Sequence, residues 1–146
     1  MSYLIDTCAI IDLLTGKLSK MARDWLASNA EAGLTKTSAV VYYELLFGSN
    51  TPKTKRIVED LLRDWTILPV DQTVASRAAT IRRLSKAKGE TIGMADALIA
   101  ATAQLHELKI VTSDLRGFPK DKSLNLRDLD ENNTNATIKV YQFSRQ

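Results

Sequence analysis

The chain has 146 residues, of which 45% are hydrophobic and 25% are charged. These proportions are typical of a globular protein with one hydrophobic core, and no apolar run reaches the length of a membrane span. The net charge of +3 at pH 7 is only weak evidence for a polyanionic partner. Because the first residues lack the basic start of a signal peptide and meet Asp6 early, we expect a cytoplasmic protein with no membrane association.

The cysteine and histidine content excludes several kinds of site. Cys8 is the single cysteine, so an intramolecular disulfide and a multi-thiolate zinc site are both excluded. His106 is the single histidine, which excludes mechanisms that need a histidine pair. We expect Cys8 to be a small buried side chain.

The first half of the chain predicts two strands that alternate with helices. Tyr3-Leu4-Ile5 is a short apolar run typical of a buried strand, and Gly16 ends the helix that follows it. Ser19 and Ser38 have side chains suited to capping helices. In chain order, we predict a strand at 3–5, helices over 7–14 and 20–31, a weak strand at 34–37, and helices over 39–47 and 52–64.

The second half continues this alternation. Asp71 caps a helix whose apolar residues recur at helical spacing, and the next helix is rich in alanine. In chain order, we predict a strand at 66–68, helices over 72–88 and 92–108, a strand at 109–112, a polar loop over 114–135 and a final strand at 137–143. The alternation predicts an α/β sandwich with a mostly parallel sheet, formed by a single domain over residues 1–146.

Four carboxylates lie beside apolar runs, where a lone charge is costly to desolvate. Asp6 and Asp114 follow predicted strands, and the carboxyl ends of parallel strands meet at one edge of a sheet. Glu44 has apolar residues three and four positions away along its helix, and Asp96 lies in the first turn of its helix, where the helix dipole favours an anion. Each could instead be a cap, a turn residue or part of a buried ion pair. Together, the four acids predict a shared metal ion.

Ligands that are all carboxylates favour Mg²⁺ or Mn²⁺ over zinc or copper. Such ions activate water and stabilise the charge that develops when a phosphodiester bond is cleaved. The helices also carry many basic residues, which we interpret as ordinary exposed helix faces rather than as a nucleic-acid patch. They are Lys53, Lys55, Arg56, Arg77, Arg82, Arg83, Lys86 and Lys88.

Four segments in order resemble the motifs of PIN-domain ribonucleases, and above all the VapC-like toxins of prokaryotic type II toxin–antitoxin pairs. They are Leu4-Ile5-Asp6-Thr7, Tyr43-Glu44-Leu45-Leu46-Phe47-Gly48, Ala95-Asp96-Ala97-Leu98-Ile99-Ala100-Ala101-Thr102-Ala103 and Val111-Thr112-Ser113-Asp114. The resemblance covers residues 3–118 clearly. It leaves residues 119–146 as a C-terminal loop and final strand.

This resemblance implies a three-layer α/β/α fold and a Mg²⁺- or Mn²⁺-dependent endoribonuclease. It implies an acidic site supported by the hydroxyls of Thr7 and Thr112, an RNA substrate, a homodimer and inhibition by a cognate antitoxin. The catalytic and metal-binding residues would be Asp6, Glu44, Asp96 and Asp114. Many members of the family carry an acid three residues after the position of Asp114, where this chain has Gly117, so the fourth acid rests on Asp114 alone.

Other functions are compatible with parts of the pattern. A housekeeping RNA-processing nuclease of the same family would carry the same acids. A dehalogenase-like phosphatase would need a second aspartate two residues after Asp6, where this chain has Cys8. A non-catalytic binding module could keep the fold, but it would not need all four acids.

Overall fold

The computed structural model describes residues 2–113 and the short strand at 123–125. The strands are β1 Tyr3–Ile5, β2 Thr35–Ser38, β3 Thr66–Leu68, β4 Lys109–Thr112 and β5 Ser123–Asn125. The helices are α1 Thr7–Leu14, α2 Lys20–Glu31, α3 Ala39–Phe47, α4 Pro52–Leu62, α5 Gln72–Ala87 and α6 Met94–Leu105. The predicted alternation of strands and helices is therefore confirmed, and most boundaries agree within two residues.

The five strands form one parallel sheet in the order β3-β2-β1-β4-β5. The chain moves outward from β1 through β2 to β3, and then returns across β1 to β4 and β5. Because crossover connections between parallel strands are right-handed, these two directions place their helices on opposite faces of the sheet. The fold is thus the expected three-layer α/β/α sandwich.

The core lies between the central strands and the helices that cover them. Leu4, Ile5, Ile110 and Val111 are fully buried in β1 and β4, and buried residues of every helix except α5 complete the main cluster. In a second cluster, Val74 and Ala78 of α5 pack against alanines of α6. Small side chains let α6 approach both the sheet and α5 closely, as its alanine-rich sequence predicts.

The structure differs from the sequence prediction in three places. A strand, β5, lies within the segment that we predicted as a polar loop, and it pairs with β4 at the sheet edge. The helix predicted over 92–108 covers only Met94–Leu105. Cys8 is exposed rather than buried, because α1 turns Ala9 and Ile10 to the core and position 8 away from it. The final strand predicted at 137–143 lies outside the described residues.

No helix in the described part of the chain is both long enough and apolar enough to cross a membrane.

Candidate active site

Asp6 lies at the carboxyl edge of the sheet, directly after the end of β1. Ile5 lies opposite Val111, and the Asp6 N–H extends this pairing by donating to the Val111 carbonyl at 3.0 Å. On the other side, the Thr37 hydroxyl donates to the Ile5 carbonyl at 2.8 Å. Asp6 therefore lies between the ends of β2 and β4, as the sequence predicted for an acid that follows a central strand.

Asp6 is the most constrained of the candidate acids. Only 4% of its surface is exposed. It caps the N-terminus of α1, where its Oδ1 accepts a hydrogen bond from the Ala9 N–H at 2.9 Å. Aspartate is favoured at this position because its carboxylate accepts from an otherwise unpaired N–H and lies at the positive end of the helix dipole. The fold thus holds this buried carboxylate in one orientation.

A hydrogen bond joins the next residue to the second candidate acid. The hydroxyl of Thr7, the first residue of α1, donates to Glu44 Oε1 of α3 at 2.8 Å. The two residues are 37 positions apart in sequence, so only the packing of α1 against α3 brings them together. Glu44 is half-buried. Its carboxylate is therefore directed toward the start of α1, beside Asp6.

Asp96 lies in the first turn of α6, as predicted, and is half-buried. The N-cap of α6 is Gly93, which has no side chain to cap the helix. An acid in this turn is favoured by the helix dipole. Because only a short connection separates the end of α6 from β4, the helix runs back along the sheet, and its first turn points toward the carboxyl edge. Contacts between α3 and α6 bring the helices of Glu44 and Asp96 together.

The described residues do not bring three acids into one compact group. Within 2–113 and 123–125, no three acidic, histidine or cysteine side chains lie close enough together to hold one ion. Asp114 lies outside the described residues. Among the candidate residues, the hydrogen bond from Thr7 to Glu44, beside Asp6, is a direct contact between two different helices.

Two buried hydroxyls end β4 at the same edge. Thr112 is fully buried in the last position of the strand, where it was expected as a supporting residue. Ser113 follows it and is also buried, and its Oγ has no hydrogen-bond partner among the described residues. We did not predict Ser113 as a site residue. The signal was present, since it directly follows a buried strand as Asp6 does.

The donors at this edge suit a hard divalent cation. All of them are carboxylate or hydroxyl oxygens, and a buried hydroxyl without a partner is the kind of polar group that a nearby ion or its water shell can satisfy. Neither the single cysteine nor the single histidine is among them. The chemistry of the donor set therefore fits Mg²⁺ or Mn²⁺ and does not fit a soft metal.

An apolar groove opens beside Glu44. It has a volume of about 290 Å³ and lies between α1, α3 and α4. Ile11, Leu14 and Ile57 line it and are each more than one-third exposed, while Glu44 forms part of its wall. The groove therefore connects an exposed apolar surface to one of the candidate acids.

Comparison with known proteins decides the family. The family model of the PIN domain matches residues 3–121. The chain belongs to the PIN-domain family. Ribonuclease VapC10 of Mycobacterium tuberculosis is 34% identical over 121 residues, which cover 83% of this chain and 89% of that protein.

Solved structures with the same fold agree with this PIN-domain assignment. The FitAcB structure from Neisseria gonorrhoeae is 33% identical, with a TM-score of 0.68, over 80% of this chain and 90% of that chain. A toxin–antitoxin complex from Klebsiella pneumoniae is 26% identical, with a TM-score of 0.65, over 82% of this chain and 92% of that chain. The resemblance seen in the four sequence motifs is thus confirmed at the level of the family and the fold.

Proposed function

We propose that this PIN domain is a divalent-metal-dependent endoribonuclease that hydrolyses RNA phosphodiester bonds and acts as the toxin of a toxin–antitoxin pair in the cytoplasm. One observation carries the proposal. A buried carboxylate, Asp6, and a second carboxylate, Glu44, are held at the carboxyl edge of a parallel sheet by a helix cap and by the Thr7 hydroxyl. The ribonuclease and toxin–antitoxin relatives named above support the substrate and the biological role.

Asp6, Glu44, Asp96 and Asp114 would hold Mg²⁺ or Mn²⁺. Magnesium is commonly bound by one or two carboxylates together with waters and substrate phosphates, so a compact cage of three acids is not required. When bound, the ion supplies an activated water and neutralises the charge that develops on the phosphate. This explains how a chain without a histidine pair can cleave RNA.

The remaining contributions come from the protein itself. The Asp6 cap fixes one carboxylate against α1, so little reorientation is needed when a substrate binds. Thr7 orients Glu44 through its hydroxyl. The first turns of α1 and α6 direct the positive ends of their helix dipoles toward this edge, where the anionic RNA phosphate would lie.

The apolar groove supports an antitoxin as partner. An amphipathic segment could place its apolar side chains against Ile11, Leu14 and Ile57, and this would bring it against Glu44. A partner in this groove would therefore also cover one wall of the acidic site. We propose that a cognate antitoxin inhibits the enzyme in this way.

An exposed aromatic pair supports a homodimer. Tyr43 and Phe47 of α3 are 64% and 77% exposed, and their rings stack with centroids 6.0 Å apart. Large exposed aromatic side chains of this kind commonly belong to protein–protein interfaces. We propose that a second copy of the chain covers this pair.

The activity can be tested with Asp6→Asn and a labelled RNA. Asparagine caps a helix about as well as aspartate, so this variant removes the negative charge while keeping the cap. We expect RNA cleavage in Mg²⁺ or Mn²⁺ to fall at least about 100-fold, since metal-ion stabilisation of the transition state is worth several kcal/mol. Cleavage should also stop in EDTA.

Asp64→Asn is the matched control, because Asp64 is an exposed acid just after α4. It should cleave RNA at the wild-type rate. Thermal denaturation should give similar Tm values for both variants and the wild type. Cleavage that persists in EDTA would exclude the metal mechanism, and undiminished cleavage by Asp6→Asn would exclude the proposed site.

A further inference from the structure

Helix α5 divides into an apolar face and an outward face rich in hydrogen-bond donors. Val74 and Ala78 are buried against α6, with Ile81 packed beside them. At 100° per residue, Arg83 and Lys86 lie on the side turned away from this face, and Arg82 lies at its border. From 72 to 89 the sequence contains no aspartate or glutamate, so the outward face carries only positive charge along this length.

The cations near the end of α5 line a groove. Its volume is about 520 Å³, and its walls include Arg82, Arg83, Lys86 and Ile92. Glu90 is the one acid among the described lining residues. The groove is therefore a concave surface with three positive charges against one negative charge, rather than a flat array of separate lysines.

The cations of this groove have no acidic partners in the described structure. The ion pairs that join Lys20 to Asp24, Lys55 to Glu59, and Arg63 to Asp60 involve none of the cations of this groove. Arg82 instead donates from Nε to the Ile92 carbonyl at 3.0 Å, and Arg83 donates from Nη2 to the Thr80 hydroxyl at 3.3 Å. Both contacts are to neutral oxygens, so the positive charge of the groove remains available to an anion.

A second groove continues the donor-rich surface along α5. It has a volume of about 490 Å³ and is lined by Gln72, Thr73, Ser76, Arg77 and Thr80. Hydroxyl, amide and guanidinium groups are the side chains that bind phosphate oxygens in protein–nucleic-acid complexes. Thr80 lines this groove and accepts from Arg83 of the first, so the two grooves adjoin.

The basic groove ends only a few residues along the chain from the proposed active site. The hydrogen bond from Arg82 holds the backbone carbonyl of Ile92, and Ile92 is four residues before Asp96. Four residues span at most about 14 Å even when fully extended. A strand of RNA whose scissile phosphate lies at the carboxyl edge could therefore reach this groove with a neighbouring phosphate.

We infer that the outward face of α5, through Arg83 and Lys86 above all, binds the phosphate backbone of single-stranded RNA beside the scissile bond. This inference rests on the proposed function for its substrate. It revises the interpretation of these residues as ordinary exposed cations. An anionic backbone complements three clustered positive charges, and such contacts position a nucleic acid without reading its sequence.

The first test measures binding in the Asp6→Asn background, where RNA is not consumed. Arg83→Gln/Lys86→Gln removes two charges while keeping good helix formers, and it leaves the hydrogen bond from Arg82 to Ile92 in place. We expect the Kd for a labelled single-stranded RNA of mixed sequence, measured by fluorescence anisotropy, to rise about tenfold. The slope of log Kd against log salt concentration should fall by about 1.4, or about 0.7 for each phosphate that the protein no longer neutralises.

Lys17→Gln/Arg23→Gln is the matched control. It removes one lysine and one arginine, both exposed, and gives the same net charge. The Kd of this control for the RNA, and the slope of log Kd against log salt concentration, should stay close to those of the Asp6→Asn variant. If both double variants weaken binding equally, the effect reflects net charge alone and the inference is wrong.

A cleavage experiment separates this inference from the proposed activity. With Asp6 restored, Arg83→Gln/Lys86→Gln should raise KM about tenfold on a long RNA and leave cleavage of a dinucleotide unchanged, because the single phosphate of a dinucleotide is the scissile one and none is left to reach α5. If the wild type cleaves no RNA, the activity proposal fails, but the binding assay still decides the role of α5. If the double variant cleaves and binds long RNA as the wild type does, the role of α5 is excluded while the activity stands.

An acidic antitoxin segment is the competing occupant of the groove. Binding of the purified antitoxin to the same double variant tests it. Loss of antitoxin binding with unchanged RNA binding would overturn the inference. Weakened RNA binding, with the antitoxin bound as tightly as by the wild type, supports it.

Discussion

At the scale of single residues, local sequence explains some candidate acids better than others. Asp6 could be placed from its neighbours alone, because a carboxylate between a buried strand and a helix is both a strand-end residue and an N-cap. Glu44 was predicted on an apolar stripe of its helix. The structure shows it half-buried at the border of that stripe, since Phe47, one turn away, is mostly exposed. Its contact with Thr7 depends on packing between two helices.

This contact gives a prediction at the residue scale. Thr7→Val keeps the shape of the side chain but removes the hydroxyl that orients Glu44. We expect RNA cleavage to fall about 10- to 100-fold, as is typical when a residue that positions a metal ligand is replaced. The Mn²⁺ concentration for half-maximal activity should rise by a similar factor.

Thr7→Ser restores the hydroxyl and should recover most of this activity. A purely structural role for Thr7 would instead lower the Tm of Thr7→Val without moving its Mn²⁺ dependence. Equal activity of the valine and serine variants would show that the hydrogen bond to Glu44 has no role in catalysis.

At the scale of elements, capping residues mark where several helices begin. Ser19, Ser38 and Asp71 were predicted as N-caps, and each accepts a hydrogen bond from the first turn of its helix. The start of α6 was placed two residues early, because Gly93 gives no side-chain capping signal. The start of a helix is thus read best from sequence where a polar side chain caps it.

Ser38 gives a prediction at this scale. It is fully buried, and its Oγ accepts from the Val40 N–H at 3.1 Å at the start of the helix that carries Glu44. Ser38→Ala should lower the free energy of unfolding by about 1 to 2 kcal/mol, measured by urea denaturation, because the N–H loses its partner.

Ser38→Gly removes the same acceptor and should destabilise at least as much, because the position is fully buried and glycine also increases the conformational entropy of the unfolded chain. Ser19→Ala removes the corresponding cap from α2 and should cost about 1 kcal/mol. If Ser38→Ala matched the wild type in urea, the cap would not stabilise α3.

At the scale of the whole molecule, the arrangement of helices creates surfaces that no single segment shows. The apolar groove takes residues from three helices, α1, α3 and α4. The proposed RNA-binding face of α5 depends on which side of that helix packs against α6. Both surfaces follow from the order in which the chain winds around the sheet.

The apolar groove beside Glu44 gives a prediction at the scale of the whole molecule. Ile57→Glu places a charge in the apolar groove, where an antitoxin segment would have to desolvate it. We expect the Kd for the cognate antitoxin, measured by calorimetry, to rise at least about tenfold. RNA cleavage by the isolated variant should be unchanged, because Ile57 does not belong to the acidic site.

Met21→Glu is the control, since Met21 of α2 is as exposed as Ile57 (42% against 43%) but lies outside the groove. It should bind the antitoxin as tightly as the wild type. If Ile57→Glu bound the antitoxin as tightly as the wild type does, the antitoxin would bind elsewhere on the surface.

The sequence by itself determined the α/β class, the parallel sheet, the position of each long helix and the family. These depend on short-range physics, namely the period of apolar residues, helix caps and motifs of a few adjacent residues. It also placed Asp6 at the N-cap of α1 and Asp96 in the first turn of α6, because these places follow from the ends of their own elements.

Only the tertiary structure decided which distant residues meet. Glu44 contacts Thr7 because α1 packs on α3. Strand β5 forms because the edge of β4 offers unpaired backbone groups to a three-residue segment. Ser113 is buried at the edge of the site because β4 ends there. The first two have no local signal strong enough to be predicted, whereas the place of Ser113 directly after a buried strand was a signal that the prediction did not use. Contacts between residues far apart in sequence are set by the packing of whole elements, and a pattern within one segment does not contain that information.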